Sequence, residues 1–129
     1  MKTELQYLVY VTVFTGLLWV PYILDRIAVG GLNDAVGYPE VSRQSAWGAR
    51  LKRAHLNAVE NLVVFAALVL AAHALGISNS AIASAAIVYF WARLVHALAY
   101  TFAIPWVRTL AFAVGFFAQA VVAWQILTR

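Results

Sequence analysis

An all-α integral membrane protein, built as a bundle of four helices, is the fold class this sequence predicts, on three observations. Of 129 residues, 64% are apolar and only 11% are charged, and mean hydropathy is +0.82. Both lie far from the roughly half-apolar composition of a soluble domain. Apolar runs of about twenty residues recur along the chain, enough to cross about 30 Å of hydrocarbon at 1.5 Å per residue. Turn residues separate them, which predicts one domain over residues 1–129 with helices at about 3–25, 47–75, 79–103 and 106–128.

The first run, Leu5 to Leu24, follows Lys2 and Glu4. It exceeds the roughly 7–15-residue core of a secretion signal and no small-residue cleavage site follows, so it reads as a retained membrane helix. Pro21 is tolerable near its end, and Asp25 and Arg26 are expected to stop it. Ala28 to Ala46 contains Gly30, Gly31, Asn33, Asp34, Gly37, Pro39, Glu40 and Ser42, and reads as a solvent-facing loop, the only long one.

The second helix starts near Trp47 and ends near Leu75, before Gly76 and the polar Ser78, Asn79 and Ser80. Its first half carries Arg50, Lys52, Arg53, His55, Asn57, Glu60 and Asn61, whereas Leu62 to Ala72 carries nothing polar. It therefore begins outside the hydrocarbon and enters it. The third helix, ending near Ala103, holds Arg93 and His96 in apolar surroundings. Pro105 separates it from the fourth, whose one charge is Arg108; a proline suits a helix start, where its missing N–H is not needed.

Four crossings put both termini on one side with Lys2 and Arg129. The other side carries Arg26, Arg43, Arg50, Lys52, Arg53 and Arg108, so the positive-inside rule makes the 25–46 loop and the turn near 105 cytoplasmic. A bacterial inner membrane is the expected location. Trp19, Trp47, Trp91, Trp106 and Trp124 read as interface anchors and packing groups. Abundant Ala and Gly permit close packing between chains, so self-association is expected.

With no cysteine, the chain has no disulfide, no thiolate metal site and no sulfur nucleophile of its own. Its His residues and carboxylates lack metal-ligand spacing, so no metal is expected. The net charge of +4 comes from residues that mostly flank apolar runs rather than form a basic stripe, so nucleic acid is not an expected partner.

Charged side chains at membrane depth are expensive and usually face the bundle interior. On the second helix Arg53, Asn57 and Glu60 are four and three apart and share a face, with Arg50 a turn further out. On the third, Arg93, His96 and Tyr100 are three and four apart. These two helices run antiparallel, so both stripes and Arg108 can converge in the cytoplasmic half of the membrane. Arginine forks suit carboxylates and Glu60 suits an ammonium or amide donor, which points to an anionic or zwitterionic small ligand.

The run Arg53-Ala54-His55-Leu56-Asn57-Ala58-Val59-Glu60-Asn61, followed by Arg93, His96, Tyr100, Pro105 and Arg108, resembles the MAPEG family, the membrane-associated proteins of eicosanoid and glutathione metabolism. That family includes microsomal glutathione transferases and prostaglandin E synthases. The resemblance implies a homotrimer in the lipid bilayer that binds glutathione between subunits near the cytoplasmic face. Arg53, Asn57, Glu60, Arg93, His96, Tyr100 and Arg108 would be its contacts, and Arg108, with Thr109 beside it, would hold the sulfur as thiolate against a small lipophilic substrate. Leu56, Thr109 and Phe112 depart from the prostaglandin synthase pattern, which argues against that activity and leaves general thiol transfer.

Plainer roles stand beside these. Arg53, Asn57 and Glu60 also suit polar glue between helices; Arg93 with Glu60 suits a buried ion pair; Thr109 suits a helix cap as well as the sulfur. Arg43, Arg50 and Lys52 read as topology or lipid-phosphate residues. His55, about 200° round the helix from Arg53, reads as structural, and His73 as interfacial. The functional expectation is a glutathione-dependent transferase or peroxidase. The alternatives are a non-catalytic lipid- or glutathione-binding scaffold and a small transporter subunit that uses the Arg and Glu residues as a substrate path.

Overall fold

The computed structural model describes residues 1–129 as six helical segments without strands: α1 (Thr3–Leu17), α2 (Trp19–Gly30), α3 (Leu32–Val36), α4 (Ala46–Ala74), α5 (Ser80–Thr101) and α6 (Pro105–Leu127). Taken together as Thr3–Gly30, α1 and α2 form one span; with α4, α5 and α6 they make four helices long and apolar enough to cross a membrane.

The first span differs from its expectation in two places. Pro21 has no N–H to offer the Leu17 carbonyl and its ring crowds that group, so the helix is interrupted a turn earlier at Leu18, whose N–H turns to Thr15 O at 3.3 Å. Asp25 and Arg26 do not stop it, and α2 continues to Gly30. Both side chains find partners in the following segment: the buried Asp25 carboxylate accepts from Ser45 N at 2.8 Å, and Arg26 donates to Asp34 O at 3.3 Å. That segment contains the short α3.

The two tight turns share one design. After α4, Gly76 (φ 72°) closes the helix as Ile77 N bonds Ala72 O at 2.8 Å and Gly76 N bonds His73 O at 3.1 Å. After α5, Ile104 N bonds Ala99 O at 2.8 Å and Ala103 N bonds Tyr100 O at 3.3 Å. Each pair satisfies carbonyls that the helix end leaves free. The second turn, however, places Ala103 at φ 58°, where a Cβ is strained.

Cross-links at each end fix the up-down order. At the termini, Ser78 donates to the buried Glu4 at 2.6 Å, Asn79 donates to Gln125 at 2.9 Å, Lys2 lies 3.3 Å from His73 Nδ1, and Arg129 donates to Leu75 O. At the other end Arg50 Nε donates to Thr101 O at 2.9 Å, tying the start of α4 to the end of α5.

The apolar core occupies the half of the bundle nearer the termini. Leu8 and Val11 meet Phe65, Val69, Ile82, Tyr89 and Val122 there, and the Phe65 and Tyr89 rings stack at 3.9 Å and 6°. The other half receives the polar stripes. Only 28 of 129 residues are buried, so most apolar side chains face outward, as suits a bundle surrounded by acyl chains. All five tryptophans are exposed, and Trp91 lies midway along α5 rather than at an end of the span where an interface anchor sits.

Candidate functional site

Tyr100 and Arg108, on opposite sides of the α5–α6 turn, organise the polar half of the bundle. The Schellman-type closure at Ala103 and the proline start of α6 reverse the chain within a few residues, which brings the first turn of α6 against the last turn of α5. The Arg108 guanidinium carbon then lies 4.9 Å from the centre of the Tyr100 ring, a cation–π contact.

Two cavities share these residues as walls. The larger, about 330 Å³, is lined by Arg50, Arg53, Tyr100 and Arg108 with Ala99, Ala103, Ile104 and Pro105. The smaller, about 220 Å³, is lined by Asn57, His96, Tyr100, Arg108, Thr109 and Phe112. The larger thus presents three guanidinium groups and no carboxylate. Such a cluster favours an anion.

Beneath these cavities Arg93 is buried at 4% exposure. Its Nη2 donates to Asn57 Oδ1 at 2.7 Å and lies 3.4 Å from His96 Nδ1, while its Nε is buried without a partner. Gly115 of α6 faces this side chain, and a Cβ there would reach Arg93 Cδ at 3.6 Å, an ordinary van der Waals contact. His96 in turn sits 5.7 Å from the Tyr100 ring, centre to centre, so the Arg93, His96 and Tyr100 stripe expected from spacing forms as one face.

The α4 stripe divides. Arg53 lines the larger cavity and Asn57 the smaller, but Glu60 is exposed and lines neither. The ion pair considered for Arg93 and Glu60 is not formed; the guanidinium turns to the Asn57 carboxamide instead. A helix also turns by about 100° per residue, so residues four and then three apart wander across some 60° of face, enough to carry Glu60 past the edge.

Two further assignments change and a third gains its partner. Arg50, read from sequence as a topology or lipid-phosphate residue, is on the wall of the larger cavity. Thr109 does not cap α6: Ile104 holds the cap position, and the Thr109 hydroxyl donates to Pro105 O at 3.0 Å within the helix. His55 has a structural partner, the Tyr22 hydroxyl at 2.9 Å, which joins α2 to α4.

Two residues escaped the sequence reading as site groups. Gln119 Nε2 donates to Asn61 O at 3.0 Å, and Asn61 Nδ2 donates to Asn57 O at 2.9 Å. The available signal was Gln119 itself, a lone carboxamide in the middle of an apolar span.

Fold and site together define a class: a four-span helical membrane protein with a cationic cavity where α4, α5 and α6 meet in one half of the bundle. The sequence profile of the MAPEG family matches residues 7–128, and the chain belongs to that family. No curated protein matches it. Membership supports a glutathione- or eicosanoid-related membrane function at the level of the family.

Proposed function

We propose that this protein is a membrane-bound glutathione-dependent transferase or peroxidase acting on lipophilic electrophiles. The observation that carries the reading is the larger cavity, where Arg50, Arg53 and Arg108 stand together without a carboxylate. Guanidinium forks match carboxylates in shape and charge, and a peptide with two carboxylates fits that donor set. Arg53, Asn57, His96, Tyr100 and Arg108 are the groups proposed to hold it, with the buried Arg93 acting on them from behind through Asn57.

Glutathione would supply the thiol that the cysteine-free chain lacks. Arg108 would favour the deprotonated sulfur, since a cation beside a thiol lowers its pKa from about 8.5. An apolar groove of about 420 Å³ between α5 and α6, lined by Val88, Trp91, Val95, Val107 and Leu110 among others, supports access for a lipophilic partner along the same helices. On α4, Leu56, Val59 and Val63 are exposed beside Glu60, which supports packing of that face against neighbouring copies in a homotrimer. The concentration of Lys and Arg at the site end supports a cytoplasmic orientation.

A non-catalytic glutathione- or lipid-binding scaffold is the second reading. It is favoured by the Thr109 hydroxyl being engaged with Pro105 and by Phe112, which brings no hydroxyl to the smaller cavity. Purified protein assayed with glutathione and a chlorinated nitroaromatic separates the two. Turnover with thiolate absorbance supports the enzyme; glutathione binding with neither supports the scaffold.

A further inference from the structure

Asn57 is the one carboxamide on the wall of the smaller cavity, and groups behind that wall set its orientation. The atom facing Arg93 Nη2 at 2.7 Å must be its oxygen, because a guanidinium has only donors. Asn61 Nδ2 approaches the same oxygen at 3.3 Å and the Asn57 backbone oxygen at 2.9 Å. Two donors therefore converge on Oδ1. The Asn57 Nδ2, with two N–H groups, keeps no partner in the chain and is not among the fully buried polar atoms.

Asn61 is itself held from α6. Gln119, only 6% exposed, donates to the Asn61 backbone oxygen at 3.0 Å. A carboxamide buried at membrane depth is costly unless bonded, and this bond fixes where α6 sits along α4. Every link from Gln119 through Asn61 and Asn57 to Arg93 is a donor meeting an oxygen, so reversing one carboxamide breaks the chain.

We infer that Asn61 and Gln119 are positioning residues. Arg93 and Asn61 lock the Asn57 carboxamide with its N–H groups free for the cavity, and Gln119, through the Asn61 backbone oxygen, holds that stretch of α4 in place against α6. That subsite takes a hydrogen-bond acceptor of the ligand, a carboxylate or peptide carbonyl, and disfavours an ammonium. Arg108 on the same wall is likewise a donor only. The ligand's identity here rests on the glutathione reading; the locked carboxamide does not.

The test uses the full chain in detergent micelles with isotope-labelled asparagine side chains, the Asn57 NH2 signal being assigned by its loss in Asn57→Ala. The wild type should give one well-dispersed NH2 pair that moves on addition of glutathione. Gln119→Met should collapse that pair towards an averaged position and weaken glutathione binding by about threefold to tenfold, the worth of one aligned hydrogen bond. In an Asn57→Ala background, Gln119→Met should then change binding no further, whereas a merely structural role would give the same loss in both backgrounds. Asn61→Ala reads the same signal should Gln119→Met fail to fold. An Asn57 signal untouched by either variant overturns the inference. A signal that is fixed in the wild type and lost in Gln119→Met, without any glutathione binding, upholds the positioning chain and removes the glutathione reading.

Discussion

Arg108 lies over the ring of Tyr100, 4.9 Å from its centre, and this pair sits on the shared wall of both cavities. Its position follows from the short turn between α5 and α6. The guanidinium is the only cation that both cavities share, which makes it the group best placed to stabilise a negative sulfur.

Replacing Arg108 by Leu should leave glutathione binding largely intact while thiolate formation falls. Ultraviolet difference spectra of the glutathione complex measure this. Thiolate absorbance unchanged in Arg108→Leu removes the residue from the chemistry.

Tyr100→Leu should loosen the Arg108 side chain and cost about 0.5–2 kcal/mol of interaction, whereas Tyr100→Phe keeps the ring face and should cost little. Thermal unfolding of both variants in detergent micelles compares them. Equal losses would mean that the hydroxyl, not the ring, matters.

Arg93 and Asn57 should respond asymmetrically. Asn57→Leu leaves a buried guanidinium without its closest acceptor, which should cost about 1.5–3 kcal/mol. Arg93→Met removes the uncompensated charge together with its unpartnered Nε, so it should be near neutral for stability. Thermal unfolding in detergent micelles decides; a large loss in Arg93→Met would show that the charge is better compensated than its contacts indicate.

Ala103→Gly should stabilise the protein by about 0.5–1 kcal/mol, because it relieves the strained φ of 58° at a position where glycine is the usual residue. Gly76→Ala, at φ 72°, should do the reverse. The same melting experiment reads both, and a loss in Ala103→Gly would contradict the strain.

Gly48→Ala should destabilise by about 1–3 kcal/mol through overpacking, since an added methyl would run into the Asp25 carboxylate. Asp25 also accepts from Ser45 N, so this clash should loosen residues 31–45. Limited proteolysis should cut that segment faster in Gly48→Ala and in Asp25→Ala than in the wild type.

Much of this was legible from the residues. Runs of apolar residues gave the four spans within a few positions, and spacing gave the Arg93, His96 and Tyr100 face, because a single helix fixes both. The remainder depends on how helices rotate against one another, which no local pattern encodes. Glu60 faces outward and Arg50 faces the cavity because of how α4 is turned against α5 and α6. Asp25 and Arg26 look like stop signals until Ser45 and Asp34 supply their partners. Gln119 gained meaning only from the Asn61 carbonyl across the bundle.

The central claim is that side chains of α4, α5 and α6 build one glutathione-binding site across the two adjoining cavities, and thermal unfolding of the purified protein against rising glutathione tests it most directly. A ligand held by the native state at a hundred times its Kd adds about 2.7 kcal/mol. The account predicts a concentration-dependent rise in Tm that is reduced in Arg53→Leu; a Tm indifferent to glutathione at every concentration would contradict it.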